Sequence, residues 1–305
     1  MVGNIFKQVK YAKINMITQA KDEYELMTAE QLKVVLKELD FKKPETIKSK
    51  DLDQLIIQMV EHIGSTEAQL RDKLIYTSFY YFTKDGYLNH KQMEYLIETC
   101  LDQKHLFLGI GSTNDDSVFT RAFSTLVIAL ILDRDREEQF LSEEMALKAI
   151  ESSILYLQKE EDTRGYVEEK GWAHSIAHGA DLLAEAVKHP LFDLALASEC
   201  LNTIGGCILK DTAYVDEEDE RLIYAVIALL EKGMDENLLK EWIANLSKKV
   251  TDIKNKTGYT PYFFRKNTNL NQFIKSFYFR LLFLNDGFQT RQEIEGILKS
   301  QIIAD

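Results

Sequence analysis

The least ordinary chemistry in this chain lies between Asp162 and Leu183, in the run Asp162-Thr163-Arg164-Gly165 through Gly171-Trp172-Ala173-His174-Ser175-Ile176-Ala177-His178-Gly179-Ala180-Asp181. Placed on a helix, His174, His178, Asp181 and Glu185 share one face, while Trp172, Ala173, Ile176, Ala177, Ala180, Leu183, Ala184 and Val187 share the opposite one. Two imidazoles one turn apart with an acid a turn further on can converge on a divalent metal, the carboxylate serving as third ligand or as the group that orients a histidine. The candidate metal ligands are therefore His174, His178 and Asp181. The same set can do acid–base work, because a neighbouring carboxylate raises an imidazole pKa toward neutrality; Glu185 or Arg164 would assist. It can equally be a solvated helix face, or one hydrogen-bonded to the next helix. Ser175, not glutamate, follows the first histidine, so the zinc-protease helix pattern is absent. Gly179 inside a helix costs about 1 kcal/mol relative to alanine. It predicts that another backbone approaches closely there.

A second cluster, Asn114-Asp115-Asp116-Ser117-Val118-Phe119-Thr120-Arg121, precedes the most apolar run of the chain. Asp115 or Asp116 is a natural N-cap and suits the helix dipole. Arg121 falls within an apolar helix and calls for a carboxylate partner, with Asp116, Asp162 and Asp181 as candidates; recognition of an anion is the alternative. Gly109-Ile110-Gly111 lacks the remainder of a dinucleotide fingerprint and reads as a loop. The acidic run Asp216-Glu217-Glu218-Asp219-Glu220 reads as a solvated loop leading into a helix start, open to a cation or a basic partner. Tyr259-Thr260-Pro261-Tyr262-Phe263-Phe264-Arg265 reads as core packing of the closing repeat, and as a ligand platform if its aromatic side chains are exposed.

The elements that must position these groups are helical. Prolines are confined to Pro44, Pro190 and Pro261, and long stretches of Leu, Ile, Ala, Glu and Lys separate turns at Asp85-Gly86, Gly109–Ser112, His189-Pro190, Lys232-Gly233 and Asp286-Gly287. Lys73-Leu74-Ile75-Tyr76 recurs as Arg221-Leu222-Ile223-Tyr224, 221 − 73 = 148 positions later, and Ser78-Phe79-Tyr80-Tyr81-Phe82 nearly recurs as Ser276-Phe277-Tyr278-Phe279, 276 − 78 = 198 positions later. Both offsets fit a unit of about 49 residues, within the period range of helical solenoids. Inner, nearly apolar helices are predicted near 71–83, 118–132, 172–188, 219–231 and 270–284. Outer amphipathic ones are predicted near 88–101, 142–158, 191–209, 235–250 and 290–302. The fold class read from this rhythm is all-α: a HEAT- or armadillo-like α-α superhelix of about five helix pairs, treated as a single domain over 1–305, with helix-pair repeats over 66–305. A closed α/α toroid gives the same signal. Residues 1–65 read as a helical N-terminal cap, with a Thr28-Ala29-Glu30-Gln31 capping box and a helical run over 45–63.

The 305 residues carry 37 basic and 49 acidic side chains, a net charge of −12, which argues against nucleic-acid and anionic-membrane partners. Lys7, Lys10 and Lys13 interrupt the N-terminal apolar residues, and the run Ala122–Leu132 is too short to span a bilayer. Cys100, Cys200 and Cys207 form no CxxC pair and read as buried free thiols of a cytoplasmic protein.

Three segments together, Asp115–Ser124, Asp162–Leu183 and the terminal Asn271–Leu284, resemble the bacterial domain-of-unknown-function family 2785 over roughly residues 70–285. The positions that match its pattern are Asp116, Phe119, Arg121, Arg164, Gly165, Gly171, Trp172, His174, His178, Gly179 and Asp181. The resemblance implies a bacterial, intracellular, all-helical protein and supplies no activity. A fainter likeness to α/α-toroid enzymes lacks the cysteine ligands of their zinc-dependent class. The expectation is a non-enzymatic helical-repeat binding or scaffold module. Its polar groove would hold Asp116, Arg121, Arg164, Trp172, His174, His178, Asp181 and Glu185 and receive a protein, peptide or small-molecule ligand. No cofactor is required, although a divalent metal at His174, His178 and Asp181 is admissible, and open terminal helices allow a homodimer. The alternative is a metal-dependent or acid–base hydrolase-like enzyme centred on the same three residues.

Overall fold

A computed structural model describes residues 25–303. The reading of Lys7, Lys10 and Lys13, and the first part of the expected cap, lie outside these residues. The chain forms two compact units. Of the described residues, the first takes those up to Ala149 together with Tyr166–Ala173; the second takes Ile150–Gly165 and those from His174 onward.

In the first unit, α1 (Ala29–Lys37) starts on the expected box: Thr28 Oγ1 accepts from the Gln31 N–H at 3.3 Å, and Gln31 Oε1 accepts from the Thr28 N–H at 2.8 Å. The run predicted over 45–63 is two helices, α2 (Pro44–Lys48) and α3 (Leu52–Glu61). The break has a local cause, since the Asp51 carboxylate accepts from the Gln54 N–H and opens a new helix. The predicted helix near 71–83 is π-helical over Gln69–Tyr76 and α-helical only in α4 (Thr77–Lys84). Next come α5 (His90–Cys100) and the long α6 (Ser117–Glu138), whose Phe119, Ala122, Ile128 and Leu132 are fully buried. Helix α7 (Glu143–Lys159) carries the chain from the first unit into the second.

Where a helix was predicted from 172, the chain makes a short antiparallel hairpin, β1 (Tyr166–Val167) with β2 (Gly171–Trp172), and α8 begins only at Ser175 (Ser175–Lys188). Gly171 and His174 adopt φ values of +77° and +49°, and left-handed backbone cannot continue a right-handed helix. A Cβ on Gly171 would also lie 2.7 Å from the Ala68 side chain, so the turn is closed to larger residues.

The second unit continues with a 3₁₀ turn (Leu194–Leu196), α9 (Ala197–Ile208), α10 (Glu218–Glu231), α11 (Glu236–Thr257), α12 (Pro261–Leu284) and α13 (Phe288–Ile303). Alternate helices pack on one another: α8 on α10 and α10 on α12 in one row, α9 on α11 and α11 on α13 in the other, with α9 reaching α10 and α12 across the rows. Helices occur in the predicted order along the chain, and the fold is all-α. Among the described residues no helix is long and apolar enough to cross a membrane.

Candidate functional site

Three of the predicted site residues belong to the first unit, and packing explains their positions. Arg71, fully buried on the π-helical stretch, donates to the carbonyls of Ser65, Lys170 and Trp172 at 2.6, 2.8 and 3.1 Å. Its guanidinium lies 4.2 Å from the Phe119 ring centre and its Nε 2.9 Å from Asp72 Oδ1. This buried cation ties the hairpin to the helices beneath it. The hairpin leaves Trp172 exposed, edge-on to Tyr166 at 5.0 Å, rather than on an apolar helix face as predicted. Asp116 pairs with Lys170 at 2.7 Å, and the capping bond at the head of α6 comes from Asp115, which accepts from the Ser117 N–H at 2.8 Å. Arg121 is fully buried and donates to the carbonyls of Leu108 and Gly109 at 2.8 and 3.3 Å and to Ser117 Oγ at 2.5 Å. It fastens the 108–112 loop, and burial keeps it from a ligand arriving through solvent.

The remaining candidates belong to the second unit. Asp162 and Arg164 form a multidentate pair, with Nη2 to Oδ2 at 2.6 Å, and the Ser175 hydroxyl donates to the Asp162 carbonyl. The Arg164 carbonyl in turn accepts from the His174 N–H at 3.1 Å. His174 is the N-cap of α8, in left-handed backbone, and not a residue within the helix. His178, buried one turn down, holds its ring 5.7 Å from that of His174 at 81°. Asp181 does not join them: Arg221 Nη1 holds its two carboxylate oxygens at 2.9 and 2.8 Å. Burial raises the Asp181 carboxyl above its ordinary pKa, against the pull of Arg221. Glu185 pairs with Lys188 at 2.8 Å. Gly179 does face a close neighbour, but a side chain and not a backbone: a Cβ there would meet the Tyr156 ring and the Leu157 methyl at 2.7 Å.

The groups that meet His174 come instead from the acidic run before α10. Ligand atoms of His174, Asp216 and Glu218 all lie within 4.8 Å of one another. Asp216 and Glu218 are braced, the Asp216 N–H donating to Glu218 Oε2 at 3.1 Å. The His174 imidazole hydrogen-bonds to the Asp216 backbone. Gly165 forms the floor, where a Cβ would stand 1.9 Å from Asp216 Oδ2. Helix α10 opens on Glu217 with φ +66°, so both helix heads at this site begin from left-handed residues. Burial pushes the His174 pKa down, with Asp216 opposing, and pushes the Glu218 carboxyl up. One imidazole and two carboxylates from separate stretches can hold a divalent cation. Asp216 and Glu218 were not legible as partners of His174, because acids at a helix start are ordinary. Gly165 carried the available signal, as a residue that makes room for something specific.

Residues 106–279, more than half of the chain, match the family model described as Protein of unknown function (DUF2785). The chain belongs to that family. The DUF2785 match takes in Gly165, His174, Asp216 and Glu218 as well as Arg121 and Asp181. No curated protein and no solved structure matches the chain.

Proposed function

We propose that this DUF2785 protein is a non-enzymatic, HEAT-like helical-repeat module of the cytoplasm that binds a ligand at the polar site headed by His174. The observation that supports it is how the side chains capable of covalent or acid–base chemistry are engaged. The Ser175 hydroxyl is buried and donates to the Asp162 carbonyl. The Cys200 and Cys207 thiols are buried, with pKa values pushed up to about 12. Asp162 and Asp181 are held by Arg164 and Arg221. What stays partly open is the convergence of His174 and Asp216 over buried Glu218, an arrangement suited to holding a ligand. Two rows of helices give such a site a rigid frame.

The test is turnover of chromogenic carboxylic esters, phosphoesters and glycosides by the purified protein and its His174→Ala variant. Equal, background rates are expected. Hydrolysis by the parent protein that disappears in the variant overturns the reading in favour of an enzyme.

A further inference from the structure

We propose that His174, Asp216 and Glu218 bind one divalent first-row transition-metal ion, with zinc as the type case. The inference rests on the binding reading above and names the ligand of that site. The donor set selects the class. An imidazole with two carboxylates is borderline between hard and soft: it suits zinc, cobalt, manganese or iron(II), whereas calcium and magnesium prefer all-oxygen shells and copper(I) prefers sulfur. The charge also matches, because two carboxylates and a neutral imidazole neutralise a dication.

Geometry carries the argument further. With metal–ligand bonds of 2.0–2.2 Å, donor atoms in a tetrahedral site stand about 3.3 Å apart. The three groups already lie within 4.8 Å, so closing on an ion draws them in by at most about 1.5 Å, within reach of side-chain rotation. Support lies outside the ligands as well. The imidazole is oriented by its hydrogen bond to the Asp216 backbone. The Glu218 carboxylate is braced by the Asp216 N–H. Gly165 supplies the space that the Asp216 carboxylate occupies. Glu218 is buried, unlike the acids of a solvated loop. Three protein donors leave a position for water or a further ligand, as in zinc sites that exchange ligands.

The experiment uses the full chain after chelator dialysis, titrated with Co2+ by visible absorption and with Zn2+ by competition, with Mg2+ and Ca2+ in parallel. The expected result is one Co2+ or Zn2+ per chain, with Mg2+ and Ca2+ weaker by about 100-fold or more. His174→Ala and Asp216→Asn are expected to weaken binding by about 100-fold, the upper end of the losses seen for residues that only support a metal ligand. Glu218→Gln, which keeps the shape of the buried side chain, is expected to do the same. Circular dichroism reports folding, and Asp216→Asn, at a half-buried position, carries the test if the Glu218 variant does not fold. Absence of Co2+ and Zn2+ binding by the folded parent overturns the proposal. Affinity unchanged in the variants, or Ca2+ bound as tightly as Zn2+, does so too. Zinc-dependent turnover lost in Asp216→Asn leaves the metal site standing and overturns the non-enzymatic reading; no turnover and no zinc binding does the reverse.

Discussion

Replacing Gly165 by alanine probes the site without touching any of its donor groups. Gly165 does not occupy left-handed backbone, so alanine is allowed there by its own conformation. The added methyl would stand 1.9 Å from Asp216 Oδ2, 2.6 Å from its Cγ and 2.8 Å from its Cβ, all too close, so Asp216 must move away. Overpacking of this kind costs about 1–3 kcal/mol, and the gain from a stiffer unfolded chain returns about 0.4–1 kcal/mol. A net loss of about 1–2 kcal/mol is expected, read as a lower urea midpoint at unchanged slope. Displacing Asp216 also removes one donor from its place beside His174, so Co2+ affinity falls by about tenfold or more, equivalent to about 1.4 kcal/mol. Combining Gly165→Ala with Asp216→Ala removes the two closest atoms and leaves the Cβ contact. The double variant is therefore expected to recover part of the stability but none of the metal affinity, a coupling that a double-mutant cycle measures directly. A Gly165→Ala protein as stable as its parent, with the same Co2+ affinity, would show that Gly165 is not the floor of this site.

Arg71→Ala is expected to cost about 3–5 kcal/mol in urea unfolding, because it strips a buried cation from Asp72 and from three carbonyls. Limited trypsin digestion should then cut at Lys170, whose carbonyl Arg71 holds; unchanged resistance would contradict the clamp. Gly179→Ala should destabilise by about 1–3 kcal/mol through contact with the Tyr156 ring, and pairing it with Tyr156→Leu should recover part of that loss. The Cys200 and Cys207 thiols, with pKa values near 12, hold a thiolate fraction of about 10⁻⁴ at pH 8. They should react with a thiol reagent only after unfolding, and prompt reaction of the native protein would place them elsewhere than in the core.

Helix order was legible because period and apolar content persist over long segments, as in Ser117–Glu138 and Glu218–Glu231. Caps chosen from residue type were legible for the same local reason, as at Thr28. What escaped was set by single backbone choices. Left-handed residues at Gly171 and His174 turn a predicted helical turn into a hairpin and move His174 from a helix face to a helix head. That shift replaces Asp181 as a neighbour with Asp216 and Glu218, which lie 42 and 44 positions further along and whose approach depends on how α8 and α10 pack. Arg121 shows the same limit: its apolar surroundings announced burial, but its partners include loop carbonyls that no spacing rule identifies.

The convergence of His174, Asp216 and Glu218 is tested most directly by an anomalous-scattering difference map at the zinc edge from crystals grown with one equivalent of Zn2+. A single strong peak is expected, with His174, Asp216 and Glu218 donor atoms about 2.0–2.2 Å away. Density at another site alone, or a His174 ring turned away from both carboxylates, would contradict it.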